Sequence, residues 1–208
     1  LDSRQNVLEG TLNVAGDLNF RESKEGSEST ISLSEDSRGL WWGGWLTGGQ
    51  QPPWQIGLSR TVSLDLTVDA GSGPVELALG SLLLSNLEMD LGSGPVDVQL
   101  PAGDYEIRLD GGSGPVKVIL PQHGRQVLDV DAGSGPMELY LPATMQARVE
   151  FDSGSGPLSL DERFEPVSGD DKDGIWQTPG YDSNGENAIL ITVDGASGPI
   201  AVSQSSGR

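Results

Sequence analysis

From residue 61 onward, apolar and polar residues alternate with a period of two on both sides of a recurring glycine turn. Alternation of this kind sends successive side chains to opposite faces of a strand, one face in and one face out. The stretch DAGSGPVEL, residues 69–77, returns as DLGSGPVDV from Asp90, DGGSGPVKV from Asp110, DAGSGPMEL from Asp131, DSGSGPLSL from Asp152 and DGASGPIAV from Asp194. Its serines stand at 72, 93, 113, 134, 155 and 197, giving steps of 21, 20, 21, 21 and 42 residues. A fixed period in this range predicts stacked units that share a core with their neighbours.

Aligned on the serines, four columns are apolar in every copy. Leu66, Leu87, Ile107, Leu128, Val149 and Ile191 form the first, and Val68, Met89, Leu109, Val130, Phe151 and Val193 the second. After the turn come Val75, Val96, Val116, Met137, Leu158 and Ile200, then Leu77, Val98, Val118, Leu139, Leu160 and Val202. The residues between them are mostly polar, as in Thr67, Glu88, Arg108 and Asp129. Equivalent strands can therefore stack in parallel about 4.8 Å apart, each aliphatic side chain over its counterpart. An antiparallel sandwich shares the alternation but has no need of an equal period or identical turns. The predicted fold is all-β, a β-solenoid of coils of about 21 residues. Each coil has two short strands and a GSGP corner, and pairing between coils is parallel. Leu100-Pro101, Leu120-Pro121 and Leu141-Pro142 mark a second corner in phase, where a residue without an N–H is tolerated.

The expected organisation is a single solenoid domain over residues 1–208. Residues 1–60 read as a degenerate N-terminal coil and a Trp-rich cap, 61–160 as regular repeats, 161–188 as an irregular excursion and 189–203 as the closing coil of the stack. Within the first part, strands are expected around 7–20 and 30–34 with a polar connection over 21–29, and residues 12–20 read as a worn copy of the motif with Gly16 in a glycine place. Trp41, Trp42 and Trp45 stand among glycines ahead of Pro52 and Pro53, a density that breaks regular structure. They read first as a lid over the open strand edge of the stack, and alternatively as a sugar platform or partner hot spot.

Charge narrows the partners. With 31 acidic against 12 basic residues the formal charge is −19, which opposes binding to nucleic-acid phosphates or anionic lipid. No apolar run is long enough to span a bilayer, so no direct membrane insertion of this segment is expected. The absence of cysteine removes disulfides, zinc thiolates and a cysteine nucleophile. With Leu1 rather than Met at its start, the chain is expected to be a processed or trimmed form whose leader or anchor has been removed.

Six equivalent serine turns, five reading GSG and the last ASG, argue against one serine active site, and neither a nucleophile elbow nor a phosphate-binding loop is present. His123, the single histidine, reads as an exposed corner residue. No catalytic, metal or cofactor-binding residue is assigned, and no cofactor is expected. The aspartates at 69, 90, 110, 131, 152 and 194 are the unexplained column: stacked side by side they would repel by about 1 to 3 kcal/mol per pair. The favoured account is that each accepts hydrogen bonds from the N–H groups or hydroxyl of its own or the adjacent turn. The alternative is a cation ladder, which resembles calcium β-rolls only loosely because GGxGxDxUx places aspartate after the glycines. A second acidic group, Asp170, Asp171 and Asp173, lacks the EF-hand pattern and reads as a solvated loop. No carboxylate pair stands apart as a glycosidase pair would.

PWQIGL leading into LDLTVDAGSG, and the ending GIWQTPGYDSNGENAILITVDGASGPIAV with Trp176, Tyr181, Ile191 and Val193, resemble the bacterial toast-rack β-solenoids. That family includes adhesins and the C-terminal domains of membrane regulators that respond to cell-wall-active antibiotics. The resemblance covers most of residues 7–203. It implies no catalytic or metal residues and an extracytoplasmic, envelope-associated location. The expected function is a non-catalytic adhesion, scaffold or envelope-stress-sensing domain that displays outward columns to an envelope protein or glycan. The alternatives are a polysaccharide-acting β-helix enzyme and a calcium-dependent adhesin.

Overall fold

A computed structural model describes residues 7–11, 17–25, 28–36, 54–152, 154–170, 172–195 and 197–205. They form two compact units, Leu1–Ser59 and Arg60–Arg208. The first holds β1 (Leu8–Thr11), β2 (Asp17–Glu25), β3 (Glu28–Asp36) and β4 (Gln55–Leu58). β1 pairs antiparallel with β4, and β2 with β3 as a hairpin in which Phe20 faces Leu33 and Glu22 faces Ile31.

This corrects the expectation of a worn first coil. Residues 17–20 belong to an antiparallel hairpin, and the supposed polar connection at 21–25 continues β2. Arg21, Glu22 and Ser23 are exposed, so alternating burial never had to show there. Gly16, Trp41, Trp42 and Trp45 lie outside the described residues.

The second unit continues with β5 (Ser63–Ala70), β6 (Val75–Ala78), β7 (Leu83–Leu91), β8 (Val96–Gln99), β9 (Tyr105–Asp110) and β10 (Val116–Ile119). β11 (Gly124–Asp131), β12 (Met137–Leu141), β13 (Gln146–Asp152) and β14 (Leu158–Leu160) follow. β15 (Glu165–Gly169), β16 (Gly174–Gln177), β17 (Asn187–Asp194) and β18 (Ile200–Gln204) complete it. Each coil gives its first strand to a long sheet and its second to a short one. Long-sheet order is β15-β16-β13-β17-β11-β9-β7-β5, and short-sheet order is β14-β18-β12-β10-β8-β6. Pairing between coils is parallel and in register, as in Leu87 beside Ile107 and Val116 beside Met137. The β-solenoid is therefore the fold.

The inward columns are the four apolar ones. Leu87, Met89, Leu128, Leu139, Val149 and Ile191 are fully buried, whereas Leu66 and Val68 are half-buried on β5, which among the described strands pairs with β7 alone. At about 25 cal/mol per Å² of apolar area removed from water, this continuous aliphatic stack is the main stabilising term. Both corners contribute. Tyr105 is buried beside the second corner, and its hydroxyl donates to the Pro101 carbonyl at 2.7 Å. Burial raises its pKa well above the ordinary tyrosine value.

The last copy does not close the stack. β17 lies between β11 and β13, and β18 between β12 and β14, so the spatial order of motif serines is 72, 93, 113, 134, 197, 155. Residues 161–188 also have a definite form: β15 and β16 make an antiparallel hairpin whose inner strand pairs antiparallel with β13. The outer strand, β15, is fully exposed and carries Pro166, a register shift between Pro166 and Ser168, and Gly169 at φ 83°. A proline, an irregularity and a sharp bend all discourage further strand pairing, so this edge is blunted.

Candidate functional site

The glycine corners set the geometry of everything beside them. Ser93 and Gly94 both donate their N–H to the Gly71 carbonyl, at 3.2 and 3.4 Å, and Ser113 and Gly114 do the same to Gly92 at 3.1 and 3.4 Å. Ser134 and Gly135 bond Gly112, and Ser197 and Gly198 bond Gly133. Successive turns are thus hydrogen-bonded directly to one another. A Cβ on Gly114 would be driven into the Gly94 carbonyl oxygen, and one on Gly94 into that of Gly73. Close approach of backbones is why glycine stands here. Positive φ is a separate matter: among the motif glycines it occurs at Gly195, and elsewhere at second-corner residues such as Gly124, φ 108°.

Because neighbouring carbonyls already occupy the turn amides, those amides are not free to hold the aspartates. Among the described residues, none of the six aspartate side chains has a hydrogen bond to a turn amide or hydroxyl, and all six are exposed. The favoured turn-bonding account is corrected accordingly. The register does bring them into one column, in the order Asp69, Asp90, Asp110, Asp131, Asp194, Asp152. The six serines are exposed as well.

Beside this column runs a second outward one: Thr67, Glu88, Arg108, Asp129, Thr192 and Glu150. The middle members of the two columns line a shallow depression of about 410 Å³ on the long sheet, bordered by Glu88, Asp90, Asp110, Asp129, Asp131 and Asp194, with Arg108 as its one cation. Among the described residues Arg108 forms no salt bridge with the carboxylates around it. Sequence reasoning placed Glu88, Arg108, Asp129 and Thr192 outward but did not join them to the aspartates. Their spacing of two from the aspartate column was the available signal.

On the short sheet, by contrast, the cation is paired. In its outward column of Glu76, Asp97, Lys117 and Glu138, Lys117 meets Asp97 at 3.5 Å and lies 5.7 Å from the Tyr140 ring centre, while Tyr140 donates to Glu138 at 2.7 Å. That hydrogen bond, with some desolvation, raises the Tyr140 pKa.

The other candidates have structural places. Asp170 closes the β15–β16 turn by accepting the Lys172 and Asp173 amides at 2.9 and 3.3 Å, and these bonds lower its pKa. Asp171 is outside the described residues. His123 is exposed at the second corner. Among the described residues no three carboxylate or histidine groups converge closely enough to share one metal ion. What the acidic depression offers chemically is a row of hydrogen-bond acceptors with negative potential, open to an extended cationic ligand.

Fold and face together define a β-solenoid with a repeat-built acidic surface. Residues 2–119 match the family described as the N-terminal domain of toast-rack, DUF2154. With more than half of the chain matched, this protein belongs to the toast-rack family. A candidate cell adhesion protein from Clostridium sporogenes ATCC 15579, of known crystal structure, shares the fold with a TM-score of 0.62 at 17% identity. The alignment covers 95% of this chain and 81% of that one. No curated protein sequence matches the chain.

Proposed function

We propose that this toast-rack domain is a non-catalytic adhesion or scaffold module of the bacterial cell envelope, and that its long-sheet face docks a cationic partner. The observation that carries the reading is the exposed column of six aspartates, four of which border the depression, with no side-chain hydrogen bond to the turns among the described residues. Charge left unpaired on a rigid ladder serves recognition better than stability, because complementary potentials steer encounter and set register. Family membership and the described role of the structural neighbour favour adhesion. Sensing of envelope stress would use the same face.

Titration with a lysine-rich peptide at low ionic strength tests the reading. Binding is expected to weaken steeply as salt screens the charges. It should also fall by more than about tenfold in a triple Asp110→Asn, Asp131→Asn, Asp194→Asn variant, the equivalent of about 1.4 kcal/mol. Equal binding by parent and triple variant would place recognition elsewhere.

A further inference from the structure

The interleaved coil has a consequence for how two copies of this chain can meet. Among the described strands, β13 pairs with β17 and β16, and β14 pairs with β18. Neither pairs with any strand of the first four coils. Among the described strands, the layer holding β13–β16 is therefore paired to the rest of the ladder only through the C-terminal coil, beside the chain connection at residues 142–145 and the Arg163 side chain, which donates to the Pro142 carbonyl at 3.1 Å. Residues 187–204 thus fill a slot whose walls come from earlier in the chain, β11 and β12 on one side and β13 and β14 on the other.

The filling is complete on both walls. β17 runs in register from Gly124 beside Asn187 to Asp131 beside Asp194, and from Gln146 beside Ala188 to Asp152 beside Asp194. Gly198 sits between two other glycine corners: a Cβ on it would strike Gly135, and one on Gly156 would strike Gly198. The tie to the preceding strand is residues 178–186. Thr178 is buried and held to β13 by its N–H to the Ala147 carbonyl at 2.8 Å and by the Ala147 N–H to its Oγ1 at 2.9 Å. Beyond it Pro179, Gly180, Asp182, Ser183, Asn184 and Glu186 are exposed, with local turn bonds at Thr178–Tyr181 and Asp182–Gly185, and the Glu186 carbonyl accepts the Gly124 N–H of β11 at 3.2 Å.

We propose that residues 187–204 form an exchangeable coil, and that two copies of this chain associate by each placing its β17 and β18 in the other's slot. The ladder bonds are the same in the closed chain and in the exchanged pair, so the difference lies in the short exposed connection and in association entropy. That is the condition under which swapping is inexpensive. The repeat makes the slot selective for this kind of partner, since it accepts an aliphatic strand, a glycine corner and a second aliphatic strand in fixed register. The proposal stands independently of the cationic-partner reading.

The absence of cysteine makes the test direct. One full-length chain carries Asp131→Cys and another Asp194→Cys, exposed residues that are register partners across β11 and β17. A second pair, Glu150→Cys and Thr192→Cys, reports the opposite wall. Chains of each pair are mixed, warmed below the main unfolding transition, returned and oxidised. A single chain carrying both cysteines of a pair verifies that each site closes a disulfide. The expected result is inter-chain disulfide at both pairs, rising with protein concentration and several-fold above a control mixture of Glu76→Cys with Asp194→Cys. Inter-chain product no greater than the control at either pair, with the double-cysteine single chains closing fully, would overturn the proposal.

Discussion

Two kinds of residue recur with equal regularity in the motif, and the structure gives them opposite characters. The corner glycines are packed so closely that each turn's backbone lies against the next, with amides bonded to the neighbouring carbonyl. The aspartates beside them repeat just as faithfully yet are exposed and, among the described residues, have no side-chain hydrogen bond to those turns. Periodicity in a solenoid therefore marks two things. It marks what stacking demands, and it marks what stacking puts on view.

The comparison can be pressed by substitution, beginning with the core that both kinds of residue flank. Leu128→Ala, at a fully buried site in a middle coil, is expected to destabilise the second unit by about 2–5 kcal/mol in equilibrium unfolding. Gly114→Ala forces a Cβ into the Gly94 carbonyl and is expected to cost about 1–3 kcal/mol. The same change at Gly73 meets nothing within 4 Å and should stay within about 0.5 kcal/mol of the parent. Equal losses at 73 and 114 would break the close-approach account of the corners.

Tyr105 gives a smaller, pH-dependent effect. Burial raises its pKa, so above the ordinary value of 10.0 the folded chain keeps a proton that the unfolded chain has released. Stability contributed by the neutral phenol is thus complete below pH 10 and falls as pH climbs beyond it. Tyr105→Phe should flatten that alkaline decline in a pH series of denaturant midpoints, while losing about 1 kcal/mol at neutral pH with the hydrogen bond to Pro101.

Much of this fold was legible because a parallel stack constrains each column in the same way. Leu66, Leu87, Ile107 and Leu128 had to be apolar, and Gly94 and Gly114 had to lack a side chain. The order of coils was not legible for the same reason. Leu128 lies beside Ile191 where chain order would have put Val149, and both are aliphatic, so the repeat specifies register without specifying which copy lies next to which. The hairpin of β2 and β3 was hidden differently, since Arg21, Glu22 and Ser23 reach water and leave no burial pattern to read. At the acidic face, the sequence located the aspartates but assigned them to turn amides, which the adjacent coil satisfies from its own backbone. Partners across coils are set by three-dimensional order, and no single motif copy contains them.

A change in the opposite direction is the most direct test of the central claim that the aspartate ladder is for display. Equilibrium denaturant unfolding at low ionic strength is measured for the parent and for Asp110→Asn with Asp131→Asn, neighbours in the column. If these carboxylates do not support the turns, removing two like charges leaves stability unchanged or raises it by up to about 1 kcal/mol, with the gain vanishing in high salt. A loss of more than about 1 kcal/mol would mean that the aspartates hold the corners after all, and would contradict the account.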